Sequence, residues 1–168
     1  MTRPFVTFAA CALVAATSSI ASAQQPTRGL SMALAVEAIQ TSIDTCSKDG
    51  FKVAGAVVNA DGSLTALLAA DGASKGALES SPKKATTALK LKASTSEVLE
   101  KMKTDAALKA KVEADQTLFV RPGGILIMAG SDIIGAYGVG GVPGTGGGGV
   151  KDEACAKAGL DKIKARIK

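Results

Sequence analysis

The 168-residue sequence contains no histidine and no tryptophan, and only one tyrosine and four phenylalanines. Without an imidazole the chain lacks the usual proton-transfer group near neutral pH and the commonest metal ligand. Ser-His-Asp, Cys-His and histidine-metal mechanisms are excluded together. The scarcity of aromatics removes the stacking platform on which single-stranded nucleic acids are held. The net charge of +5 is spread along the chain and forms no basic block, so nucleic acid is not an expected partner. Beyond residue 23 no apolar run approaches the roughly 20 residues of a bilayer span. No stable membrane insertion is expected of that part.

The N-terminus carries an export pattern. Arg3 precedes an apolar run from Phe5 to Ile20, and Ala21-Ser22-Ala23 supplies the small side chains a signal peptidase accepts. Thr7, Thr17, Ser18 and Ser19 interrupt the run, which argues against a retained membrane anchor. Residues 1–23 therefore read as a cleavable signal peptide and residues 24–168 as one domain, exported to a periplasmic or extracellular location. Cleavage removes Cys11 and leaves Cys46 and Cys155, an even pair in a compartment where disulfides persist. A bond between them and two separately buried thiols both fit. Two cysteines without histidine cannot close a zinc site.

Helical spacing of Leu30, Leu34, Ile39, Ile43 and Cys46 predicts an amphipathic helix stopped near Gly50. Phe51–Val58 and Leu64–Ala69 are apolar runs around Asp61-Gly62, strong turn chemistry, and predict a hairpin. Pro82 is placed to begin a helix, because proline at the first helical position loses no hydrogen bond. Residues 83–112 are helical in pattern, as two helices or one broken near Ser94. Leu118–Val120 is short and extended. After the bend at Arg121-Pro122-Gly123-Gly124, Ile125–Met128 and Ile133–Val139 predict a second hairpin. A last helix runs from about Val150 to Ile167, with Asp152 and Glu153 placed to suit the positive end of its dipole. Tight turns make paired strands antiparallel, so the fold class is α+β, one antiparallel sheet covered by helices.

Few residue constellations suggest chemistry. Asp61, Asp71 and Asp132 sit in turns, where aspartate is favoured for backbone reasons. Gly144–Gly149 satisfies GxGxxG, but a dinucleotide unit needs a following strand and an acidic residue about 20 positions on. Only 19 residues follow Gly149, and they read as helix. The segment is better read as a glycine-dense loop that borders a site, since N–H groups at a helix start attract anions. Lys83, Lys84 and Arg121 are the cations placed to take a ligand carboxylate. No nucleophile and base pair is visible, which leans against an enzyme.

Several strings, taken in order, resemble the GlcG/HbpS family, also called the haem-degrading domain family and related to the C-terminal domain of PduO-type proteins. They are Val57-Val58-Asn59-Ala60-Asp61-Gly62, Asp71-Gly72-Ala73, Lys84-Ala85-Thr86-Thr87-Ala88, Pro122-Gly123-Gly124-Ile125-Leu126-Ile127 and Ile134-Gly135-Ala136-Tyr137-Gly138-Val139-Gly140-Gly141, completed by Asp152 and Ala158-Gly159-Leu160. The resemblance spans nearly all of residues 29–165. It implies a profilin-like domain with an antiparallel sheet of about five strands and helices on both faces, homo-oligomers, and haem or tetrapyrrole binding with a role in haem or redox-stress sensing. It further implies cofactor contacts at Lys83, Lys84, Thr87, Arg121, Gly123, Gly124, Tyr137 and Gly140. Two departures stand out. Ala69-Ala70 precedes Asp71-Gly72-Ala73 where the family often has Arg-Met, and there is no histidine to hold iron. Haem iron would take Tyr137, Met128, a lysine or a hydroxyl, or remain open. The alternative is an oligomeric scaffold or a protein that binds a small organic acid without a cofactor.

Overall fold

The computed structural model describes residues 29–168. The expected signal peptide lies outside them. Helix α1 spans Met32–Ser47, opened by Ser31, whose side chain accepts from the Leu34 N–H. Its buried stripe, Ala35, Ala38, Ile39, Ser42, Ile43 and Cys46, keeps the i, i+3, i+4, i+7 spacing of one helix face. Strands β1 (Ala54–Asn59) and β2 (Leu64–Ala69) form the expected first hairpin. In its turn Asp61 Oδ1 accepts from the Ser63 N–H at 2.9 Å.

Helix α2 spans Lys75–Leu91, so Pro82 lies inside it and not at its start. The start belongs to Ser74, whose hydroxyl accepts from the Ala77 N–H at 3.1 Å. Pro82 forgoes one helical hydrogen bond, which the packing of α2 on the sheet outweighs. The helical stretch after it breaks twice, giving α3 (Thr95–Lys101) and α4 (Ala106–Ala114). Ser94 and Glu97 form a reciprocal capping box at the first restart, and Asp105 caps the second.

Strands β3 (Gly124–Ala129) and β4 (Asp132–Gly140) form the second hairpin. A 3-10 turn at Gly144–Gly146 leads into α5, which spans Gly148–Ile163 and ends in a second 3-10 turn at Lys164–Arg166. The described residues thus hold five α-helices and one four-stranded antiparallel sheet, ordered β2-β1-β4-β3. The sheet has four strands and not the expected five or so. Leu118–Val120 joins no ladder, because the Phe119 N–H is satisfied by Thr87 Oγ1 at 2.8 Å. No described helix is long and apolar enough to cross a membrane.

Both faces of the sheet are covered. On one, Val57, Ile125, Ile127, Tyr137 and Val139 pack with α1 and α5 in the main core. On the other, Val58 and Ala136 meet Ala85 and Ala88 of α2. Glycine sets how near α2 lies: a Cβ on Gly138 would stand 2.1 Å from the Ser81 carbonyl oxygen, and one on Gly124 2.3 Å from that of Lys84. Cys46 of α1 and Cys155 of α5 form a disulfide, with Cα atoms 5.8 Å apart, and so tie the two helices of one layer together.

Candidate functional site

The cations singled out in the sequence direct attention to a cleft of about 380 Å³ where β4 leaves the sheet. Its walls come from the start of α2 (Gly76, Ala77, Ser80, Lys84), from Phe119 and Arg121, and from the loop after β4 into α5 (Gly141–Gly144, Gly148, Gly149, Asp152). A volume of this size lies near the lower end of the range for small-molecule sites.

Lys84 forms its inner wall. Burial within α2 brings the ammonium 2.6 Å from Asp152 Oδ2 and 3.0 Å from the Val139 carbonyl oxygen, which accepts from it. The other oxygen of Asp152 accepts from the Val142 N–H at 3.0 Å. Burial pushes the Lys84 pKa down and that of Asp152 up, each toward its uncharged form, while their contact opposes both shifts. The pair cancels its own charge. Asp152 therefore adds little repulsion toward an anion in the cleft.

Arg121 supplies the uncompensated positive charge. It is exposed, and its guanidinium lies 5.8 Å from the centre of the Phe119 ring, a cation–π placement that favours one orientation. In the same lining, α5 begins at Gly148 after Gly147, which has no side chain to cap the helix. The Gly148 N–H donates to the Pro143 carbonyl oxygen at 3.0 Å, so the N–H groups without an intrahelical carbonyl partner begin after it, with Gly149 at the cleft wall. Gly149 packs closely there: a Cβ on it would stand 2.6 Å from the Pro122 carbonyl oxygen. The GxGxxG segment thus forms a cleft wall through backbone groups, as a loop that borders a site should.

Among the residues expected at a cofactor, Lys84 and Arg121 line this cleft together. Gly123, Gly124 and Gly140 are buried behind its wall, with Gly124 N–H donating to Thr95 Oγ1 at 2.9 Å. Thr87 is buried on the inner face of α2, where it accepts from the Phe119 N–H and so positions the segment that carries Phe119 and Arg121. Lys83 is exposed outside the cleft lining. Tyr137 lies on the opposite face of the sheet, 0% exposed, its hydroxyl donating to Ser42 Oγ at 2.6 Å. Ser42 in turn donates to the Cys155 carbonyl oxygen at 2.7 Å. Burial pushes the Tyr137 phenol well above its usual range.

The Lys84–Asp152 pair is not visible in the sequence. Asp152 was expected to serve the dipole of the last helix, but that helix begins earlier, at Gly148, and the carboxylate is buried against α2. A lysine and an aspartate at a separation of 68 residues carry no signal of their own. A larger hollow of about 460 Å³ lies between α1 and β2, lined in part by Lys52, Ala69, Ala70 and Asp71. The Ala69-Ala70 departure is part of its lining, and Lys52 is the one cation among the described residues there. The smaller cleft brings together more of the expected groups.

Comparison with known proteins agrees with the resemblance. The family model described as haem degrading protein HbpS-like matches residues 30–161. No curated protein sequence matches the chain. A double mutant of HbpS from Streptomyces reticuli has a similar solved structure: 29% identity, 92% of this chain and 99% of that chain covered, TM-score 0.72. The ORFY protein of Klebsiella pneumoniae is 23% identical over 88% of this chain and 99% of its own, with TM-score 0.73. PduOC, solved as a haem complex, is 23% identical over 80% and 95%, with TM-score 0.70. At 23% identity the last two establish a shared fold. With a family match across nearly all of the described residues and an α+β fold shared with HbpS, the chain belongs to the HbpS-like family.

Proposed function

We propose that this chain is an exported protein that binds haem or a related tetrapyrrole, in haem or redox-stress sensing, and that its ligand enters the cleft between α2, Arg121 and the start of α5. The observation that carries this reading is the convergence of Arg121, Phe119 and the start of α5, which has no side-chain cap, on one cleft in a chain of the HbpS-like family. Tetrapyrroles such as haem present carboxylates on a flat ring. Arg121 suits the carboxylates by charge-assisted hydrogen bonding, and Phe119 suits the ring edge. PduOC, a relative in fold, was solved with haem bound.

The Cys46–Cys155 disulfide supports export, because such bonds persist in oxidising compartments. Self-association belongs to the same proposal. Its support is the edge strand β2, which leaves Leu64 and Leu67 exposed, a feature that isolated proteins usually blunt. A second reading, a binder of small organic acids, is favoured by the modest volume of the cleft and the self-neutralised Lys84–Asp152 pair.

Amide NMR of the isotope-labelled domain, with haemin added, tests the location. The tetrapyrrole reading predicts paramagnetic broadening concentrated at Ser80, Arg121, Gly141 and Gly149. Undisturbed signals around the cleft, with binding elsewhere or none, would overturn it. A response to small carboxylates with none to haemin would favour the second reading.

A further inference from the structure

Proteins hold haem iron through imidazole, thiolate, thioether or phenolate groups. The whole chain has no histidine, so neither this copy nor a second one can supply imidazole. The two cysteines among the described residues are locked to each other. Tyr137, the sole tyrosine, is fully buried on the far face of the sheet with its proton committed to Ser42.

The thioethers stand apart from the cleft as well. Met32 is exposed on α1, Met102 packs in the small cluster with Val98 and Val112, and Met128 is on the edge strand β3. The one lysine lining the cleft, Lys84, donates to Asp152 and to the Val139 carbonyl, and a protonated ammonium has no lone pair to offer a metal. The hydroxyls that line the cleft, Ser74 and Ser80, are engaged with the backbone of α2, one accepting from the Ala77 N–H and the other donating to the Ala77 carbonyl oxygen, and a neutral hydroxyl is not among the usual haem ligands. Among the described residues the cleft therefore presents groups for the periphery of a tetrapyrrole and none of the usual side chains for its iron.

Resting on the reading that the chain binds a tetrapyrrole, we infer that it grips the ligand by its carboxylates without a side-chain bond to the metal, so that metal-free dicarboxylate porphyrins are ligands of the same site. Arg121 is the side chain that makes this grip. The iron of bound haem keeps its exchangeable positions open to water or to small external ligands, and the site discriminates by ring shape and carboxylate placement.

The test is a pair of titrations of the disulfide-bonded protein, one with haemin followed by absorbance and one with protoporphyrin IX followed by fluorescence. The expected result is saturable binding of both with Kd values within about threefold, a small difference on the free-energy scale. Haemin should displace protoporphyrin IX, and Arg121→Ala should weaken both about tenfold. Arg121 is exposed, and an unchanged circular dichroism spectrum would show that the variant keeps its fold. Saturable haemin binding with no uptake of protoporphyrin IX would overturn this inference and leave the tetrapyrrole reading standing. Binding of neither would overturn both. Equal affinities that Arg121→Ala leaves unchanged would overturn the carboxylate grip.

Discussion

The Lys84 ammonium lies 2.6 Å from the Asp152 carboxylate, and the two side chains are only 4% and 3% exposed. The contact joins α2 to α5 across the exit of β4, the point at which the cleft opens. Removing one partner of such a pair leaves a buried charge with no counter-charge, which costs about 3–5 kcal/mol. Lys84→Met should therefore lower stability by about that amount in urea unfolding. The double variant Lys84→Met with Asp152→Leu should recover much of the loss, because two apolar groups need no counter-charge. Losses that simply add would show that the two side chains do not act as a pair.

Gly123 sits at φ +123°, and a Cβ there would approach the Val139 carbonyl oxygen to 2.5 Å and Lys84 Nζ to 2.9 Å. Gly123→Ala thus combines an unfavourable backbone conformation with a collision against backbone, and is expected to cost at least about 2 kcal/mol. Gly62 has φ +84° but nothing within 4 Å of the added carbon. Gly62→Ala should lose only about 1 kcal/mol. Thermal unfolding of the two variants side by side checks the difference, and equal losses would remove the steric part of the explanation.

The main core depends on covalent closure between α1 and α5. The Cys46–Cys155 bond closes a loop with a sequence separation of 109, long enough to restrict the unfolded chain substantially. Replacing both cysteines by serine is expected to cost about 2–5 kcal/mol. Calorimetry should show a lower Tm in the double variant, and reductant should lower the Tm of the wild type but not of the variant. Identical melting of both proteins would contradict this.

Acid should loosen the start of α3. The Ser94 N–H donates to the Glu97 carboxylate at 2.9 Å, and together with the Ser94 side chain it holds Glu97 below the usual carboxylate range. A carboxylate whose folded pKa is depressed contributes stability that is fully present above its unfolded value of about 4.3. That contribution is lost as pH falls through the folded value. Glu97→Gln should therefore be less stable than wild type at neutral pH, with the difference shrinking at pH below about 4. A difference that does not vary with pH would rule out the charged form as the stabilising one.

The order of elements was legible because each has a local cause: the stripe from Ala35 to Cys46, the Asp61-Gly62 turn, the Ser94 restart. The position of Pro82 was misleading because the capping hydroxyl of Ser74, eight residues earlier, governs where α2 begins. The extended segment Leu118–Val120 stays outside the sheet, and its Phe119 N–H goes to a distant side chain, Thr87. In the site, Lys84 and Arg121 could be nominated by charge, but their meeting with Asp152 and the start of α5 depends on long-range packing. The facing of Tyr137 was also hidden. From Ile134 to Gly140, β4 is buried on both faces, so no alternation of polar and apolar residues tells one face from the other.

Absorbance titration of the disulfide-bonded protein with haemin, run in parallel on wild type and Arg121→Ala, bears most directly on the cleft as a tetrapyrrole site. The expected result is a saturable spectral shift in the wild type and an affinity about tenfold weaker in the variant. Absence of a saturable shift in the wild type, or a shift that Arg121→Ala leaves unchanged, would contradict it.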